Sequence, residues 1–112
     1  MQIINNEHIV AFDIDETLFM HNNNDWNLGI VNPYSESLID GSLNEKHVEL
    51  LKQYKGRGLF VVVWSKAGVK WAEAVIKEFK LEPYVDLVMT KFDRYVDDLE
   101  ADKVLGERVY IK

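Results

Sequence analysis

Ile9-Val10-Ala11-Phe12-Asp13-Ile14-Asp15-Glu16-Thr17-Leu18-Phe19 is the stretch that decides how this chain reads. A continuous, β-branched apolar run has the pattern of a fully buried strand of a parallel sheet rather than of a half-exposed one. It ends abruptly in two carboxylates at i and i+2, with a hydroxyl two residues further on. Two like charges that close repel by roughly a kcal/mol in water and by several in a partly buried place. A fold keeps such a pair where a cation or a proton offsets the repulsion. Asp13 and Asp15 at the carboxyl end of a strand are therefore a candidate site for a divalent cation.

Outward from this stretch, apolar runs and helical patterns alternate. Residues 20–41 are polar and turn-rich, with Asn22-Asn23-Asn24, Asn32-Pro33 and Asp40-Gly41. That is long for a structureless loop, so a small hairpin or flap over a site is expected. Ser42-Leu43-Asn44-Glu45 reads as a capping box opening a helix. His47, Leu50, Leu51 and Tyr54 share one face of that helix, and Gly56 or Gly58 stops it. Leu59 to Trp64 is a second buried strand, ending at Ser65. Gly68 to Lys80 has a helical pattern with Ala72, Val75, Ile76 and Phe79 inward. Val85 to Met89 is a short apolar run before Thr90-Lys91. Strands are expected at Arg94-Tyr95-Val96, before Asp97-Asp98, and at Arg108 to Ile111, with a brief helix over about 99–105 between them.

Strands alternating with helices predict a single α/β domain over residues 1–112, with a mostly parallel central sheet and helices on both faces. Ligands of such sheets bind beyond the carboxyl ends of the strands. Asp13, Asp15, Ser65, Lys91, Asp97 and Asp98 each follow an apolar run, which collects them at that edge. Each residue alone has an ordinary structural role: a turn or cap for the acids and the serine, a solvated surface for the lysine. Their coincidence at one edge favours a shared function.

Composition narrows the classes. The chain has 112 residues, 47% of them hydrophobic and 29% charged, enough for one core. A net charge of -6 and the lack of a Lys/Arg cluster argue against a grip on a nucleic-acid backbone. The absence of cysteine removes disulfides, thiolate metal sites and a thiol nucleophile. The first residues lack the basic start and apolar core of a signal peptide, and no apolar run is long enough to span a membrane. A cytoplasmic location without membrane attachment is expected.

The four motif positions resemble those of the haloacid dehalogenase (HAD) superfamily of phosphate-transferring enzymes, from Ile9 to Ile111. The resemblance implies a three-layer, Rossmann-like (HAD-like) fold. In its first motif, Asp-x-Asp-x-Thr, Asp13 would be the nucleophile, Asp15 the general acid and base, and Thr17 a residue steadying the turn. Val61-Val62-Val63-Trp64-Ser65 matches the second motif, Lys91 the third, and Tyr95-Val96-Asp97-Asp98 the fourth. Implied with these are Mg²⁺ as cofactor, ligated by Asp13, Asp15 and Asp98 with Asp97 behind, and phosphate held by Ser65, Lys91 and Thr17. Lys66, beside Ser65, is the rival for the lysine's role. The implied reaction is hydrolysis of a phosphate monoester through an aspartyl-phosphate.

Two departures stand out. Phe92 follows Lys91 where relatives often have Pro, and five residues separate Lys91 from Asp97. A parallel crossover ordinarily needs about a dozen, so 85–89 is expected to be a short or irregular edge piece. The chain also has no room for a cap domain. Closure then falls to the flap, to an oligomer partner or to a bulky substrate. His21, Asn22 to Asn24, Trp26 and Tyr34 are placed to overhang the mouth, with Trp26 or Tyr34 stacking on substrate or packing the flap onto the core. Trp64 and Trp71 read as core, and His8 and His47 as structural or surface residues. A small phosphorylated substrate is expected, and an open site also admits a macromolecular one. Rival readings are a phosphotransferase of the same fold, a non-catalytic Mg²⁺- and phosphate-binding module, and a phosphoacceptor signalling domain. The last is disfavoured by motif order, since its paired acids come early.

Overall fold

The computed structural model of the chain describes residues 1–21 and 28–111. The elements run β1 (Ile9–Asp13), β2 (Phe19–His21), β3 (Leu28–Val31), β4 (Leu38–Leu43), α1 (Glu45–Gly56), β5 (Phe60–Ser65), α2 (Val69–Glu78), β6 (Leu87–Thr90) and α3 (Ala101–Val104). They form an α/β fold with two sheets. One is parallel, in the order β1-β5-β6, and the other antiparallel, in the order β2-β4-β3. No helix among the described residues is long and apolar enough to cross a membrane.

The parallel sheet is held in register by Ala11 opposite Val62, Asp13 opposite Trp64, and Ser65 opposite Thr90. β5 is the central strand, and both α1 and α2 pack against it. Val61, Val62 and Val63 are all buried there, as a continuous apolar run predicts for a strand covered on both faces. β1 reads just as apolar but is an outer strand, so it is not fully buried: Ile9 is 52% exposed. The residues at 87–90 form a short, regular edge strand paired with β5. Its approach is clamped at Asp86, whose amide donates to the Val61 carbonyl at 2.8 Å and whose carboxylate accepts from the Val61 amide at 2.8 Å.

The expected flap is a three-stranded antiparallel sheet. Gly41 in its central strand lets the Phe19 ring lie directly against the backbone, where a Cβ would collide with that ring. Helix α1 starts two residues later than a Ser42 cap would give. β4 runs on through Leu43, and Asn44 is the cap, accepting from the His47 amide. Gly58, with φ +86°, follows its end.

Two expected strands are not strands. Residues 94–96 have no regular structure, and 108–111 pair with no sheet among the described residues. The link from Lys91 to Asp97 is too short to run back along the sheet for a parallel pairing. At the end of the chain, the Ile111 amide goes to the His47 imidazole (2.8 Å) instead of to a ladder. The brief helix expected over 99–105 is only the four residues of α3.

Candidate active site

The site is built on the turn that follows β1. The Ile14 carbonyl accepts from the amides of Thr17, Leu18 and Phe19 at 2.9–3.2 Å. Ile14, Leu18 and Phe19 are fully buried, so the turn is pinned from beneath. Glu16 takes a left-handed φ of +62° to make the reversal. Burial of the alternate residues leaves Asp13, Asp15 and Thr17 on the open side. The turn is also tied to α1, since the Asn44 amide donates to the Leu18 carbonyl (2.8 Å) and His47 Nδ1 lies 2.7 Å from the Thr17 carbonyl.

Asp13 has a partner on each oxygen. Thr17 Oγ1 donates to Oδ2 at 3.2 Å, and Lys91 Nζ stands 3.2 Å from Oδ1. Lys91 reaches this position because its amide donates to the Ser65 carbonyl at 3.0 Å, one step beyond the β5–β6 ladder. Its ammonium also lies 5.8 Å from the centre of the Trp64 ring, against which Phe92 packs edge-on. Lys66 is exposed in the turn after β5.

Asp15 is more heavily engaged. Its Oδ1 accepts from Trp71 Nε1 at 3.0 Å and lies 2.7 Å from His21 Nε2, while Oδ2 accepts from the buried Ser65 hydroxyl at 3.3 Å. Ser65 Oγ in turn accepts from the Ala67 amide at 3.0 Å. Asp13, Asp15, Thr17, Ser65 and Lys91 are thus brought together from the ends of three parallel strands.

Asp97 and Asp98 are not part of this group. Asp97 accepts from the Leu99 amide at 2.9 Å in a local turn, and Asp98 is exposed. Among the described residues no three His, Asp or Glu side chains gather closely enough to hold a metal ion. Asp13 and Asp15 supply the oxygen donors a hard cation takes; the further carboxylate expected from Asp97 or Asp98 does not stand beside them.

Tyr34 packs the flap onto the rest of the fold. Its hydroxyl accepts from the Lys70 amide at 3.1 Å and covers Gly68, whose φ of +110° and missing Cβ make room for it. Asn22 to Asn24 and Trp26 lie outside the described residues. Trp71 was expected only in the core. It is buried there at 2% exposure, yet its indole N–H points at Asp15. The available signal was chemical: a buried indole N–H needs an acceptor. A cavity of about 500 Å³ lies between β1, α1 and residues 105–109; Thr17 and Trp64 line it, but neither carboxylate does.

Comparison of the chain with protein-family models, with curated proteins and with solved structures finds no match.

Proposed function

We propose that this protein is a capless, Mg²⁺-dependent phosphatase of the HAD type, hydrolysing a phosphate monoester through an aspartyl-phosphate on Asp13. The observation that carries the reading is the pairing of Lys91 with Asp13 alongside the bond from Ser65 to Asp15. A carboxylate nucleophile, a second carboxyl group, a hydroxyl and an ammonium stand at one edge of a parallel sheet, the set that phosphoryl transfer uses.

In the first half-reaction an Asp13 oxygen attacks phosphorus and the bond to the leaving oxygen breaks. Asp15 gives its proton to that oxygen as its electron pair departs. In the second, Asp15 takes a proton from water, whose oxygen displaces Asp13 and releases inorganic phosphate. Lys91 and Ser65 donate to the equatorial oxygens as charge spreads over them. Bound Mg²⁺ would be held by Asp13 and the Asp15 backbone carbonyl, the late acids Asp97 and Asp98 standing apart, and would offset repulsion between carboxylate and phosphate.

The finer arrangement belongs to the same proposal. A three-layer HAD-like domain would have α1 and α2 on opposite faces of the parallel sheet, and both helices pack against β5. The substrate is a small phosphorylated molecule or, as an open site admits, the phosphoryl group of a larger one.

Phosphate release from an aryl phosphate, measured with Mg²⁺ and with EDTA, tests the reading. Turnover that requires Mg²⁺ and disappears in Asp13→Asn is expected. An inactive wild-type protein that also fails to trap beryllofluoride on Asp13 would sink it.

A further inference from the structure

Asp15 Oδ1 is approached by two side chains that the motif does not contain. Trp71 comes from α2 and His21 from β2 of the flap, at 3.0 and 2.7 Å. An indole N–H can only donate, so the direction of the Trp71 bond is unambiguous. Phe19 sets both rings. Fully buried, it packs edge-to-face on His21, with centroids 5.0 Å apart, and on Trp71, with centroids 5.7 Å apart. Trp71 is itself buried among core residues, so its N–H is a fixed reference point rather than a mobile contact. Oδ2, by contrast, has among the described residues the Ser65 hydroxyl alone, at a longer 3.3 Å.

From this geometry we infer that Trp71 and His21 are positioning residues that clamp Oδ1 of Asp15 and so present Oδ2 as the oxygen that hands a proton to the leaving group. The inference rests on the phosphatase reading and adds to it which oxygen acts and what aims it. A carboxyl group free to rotate about its Cβ–Cγ bond would present either oxygen, at a cost in alignment that the chemical step then bears. The two clamps come from different elements, one from the core and one from the flap, so the pairing of β2 with β4 within the flap is coupled to the aim of Asp15. In the reaction the Oδ2–H bond breaks as the leaving oxygen takes the proton. Oδ1 keeps its two partners throughout.

Two measurements test this in the intact chain. The first compares kcat/KM for an aryl phosphate, whose leaving group needs little protonation, with that for an alkyl phosphate, which needs it fully. Trp71→Phe retains the ring and removes the N–H; His21→Ala removes the second partner, and His21→Gln restores a donor near the Nε2 position. Trp71→Phe and His21→Ala should each lose at least about tenfold more on the alkyl than on the aryl ester, within the range that general acid catalysis supplies. His21→Gln should recover part of that loss. A purely structural role would lower both esters equally. The second measurement follows the Trp71 indole N–H by NMR, assigned by its disappearance in Trp71→Phe. Asp15→Asn should move that resonance.

Equal losses on the two esters, or an indole resonance indifferent to Asp15→Asn, would overturn the clamp while leaving the phosphatase standing. A wild-type protein that hydrolyses neither ester and traps no beryllofluoride on Asp13 would overturn the phosphatase and the catalytic role of the clamp with it, even with the indole contact intact.

Discussion

Lys91 and Asp13, from opposite outer strands of the parallel sheet, meet at 3.2 Å across the end of β5. Both side chains are about 30% exposed, at 29% and 30%. Solvent screens such a pair, and its worth to folding is about 0–1 kcal/mol. Its importance is to the chemistry beside it. Lys91→Ala should leave the denaturation midpoint nearly unchanged while lowering kcat/KM for an aryl phosphate by about 10²- to 10³-fold, the loss typical of a donor to transition-state charge. Lys66→Ala, from the exposed turn, should lose less. Parallel kinetics and urea titrations check both, and a larger loss from Lys66→Ala would reverse their roles.

Asp86 should make the fold sensitive to acid. Burial pushes its carboxyl up, but the hydrogen bond from Lys55 (2.6 Å), the Val61 amide and the charge of Lys55 outweigh that and hold it below its usual 3.8. A group depressed on folding contributes stability above its unfolded value and loses it as pH falls through the folded one. Asp86→Asn should therefore destabilise the protein by about 1 kcal/mol at pH 7, below the usual range for bonds to a charged group because solvent screens the partly exposed pair. The difference from wild type should shrink as the pH drops below 3.8. Urea melts across that range measure it; a difference independent of pH would contradict the linkage.

His47 should act as a structural pin between the catalytic turn and the end of the chain. It is 1% exposed, and its Nε2 accepts from the Ile111 amide at 2.8 Å. The proton therefore belongs on Nδ1, which donates to the Thr17 carbonyl at 2.7 Å. The Tyr110 ring packs edge-on against the imidazole, and its hydroxyl donates to the Glu16 carbonyl at 3.1 Å. His47→Leu takes the partner from the Thr17 carbonyl and from the Ile111 amide, at about 1 kcal/mol each in these partly buried places. Faster hydrogen exchange at Ile111 together with a lower melting temperature is the expected result.

Gly41 should tolerate no side chain. A Cβ there would meet the buried Phe19 ring and, at 2.5 Å, the Met20 carbonyl oxygen. Gly41→Ala is expected to cost about 1–3 kcal/mol, as overpacking does. Because Phe19 holds the rings of His21 and Trp71, the same change should disturb the Trp71 indole resonance. Calorimetry and the NMR spectrum of the three tryptophans report the two effects separately.

How far the sequence could be read follows from what kind of information each residue carries. Apolar runs ending in acids or hydroxyls located β1, β5 and β6 to within two residues, because burial on a strand writes itself into local composition. The alternation of strand and helix was enough for an α/β fold with a parallel sheet. The same runs could not say that β1 is an outer strand, since apolar composition reports that a segment seeks cover and not which neighbour supplies it. Tyr95-Val96 and Val109-Tyr110-Ile111 have strand composition too, yet they pair with nothing in the sheet, because pairing needs a reachable partner edge.

The sequence by itself determined that Asp13, Asp15, Ser65 and a lysine would stand at the carboxyl edge of a parallel sheet, since position at a strand end is a local property. Only the tertiary structure decided that Lys91 rather than Lys66 faces Asp13, that Trp71 and His21 converge on one oxygen of Asp15, and that Asp97 and Asp98 stand apart. Hydrogen bonds between distant segments depend on distances set by the packing of whole elements, and no local pattern encodes those.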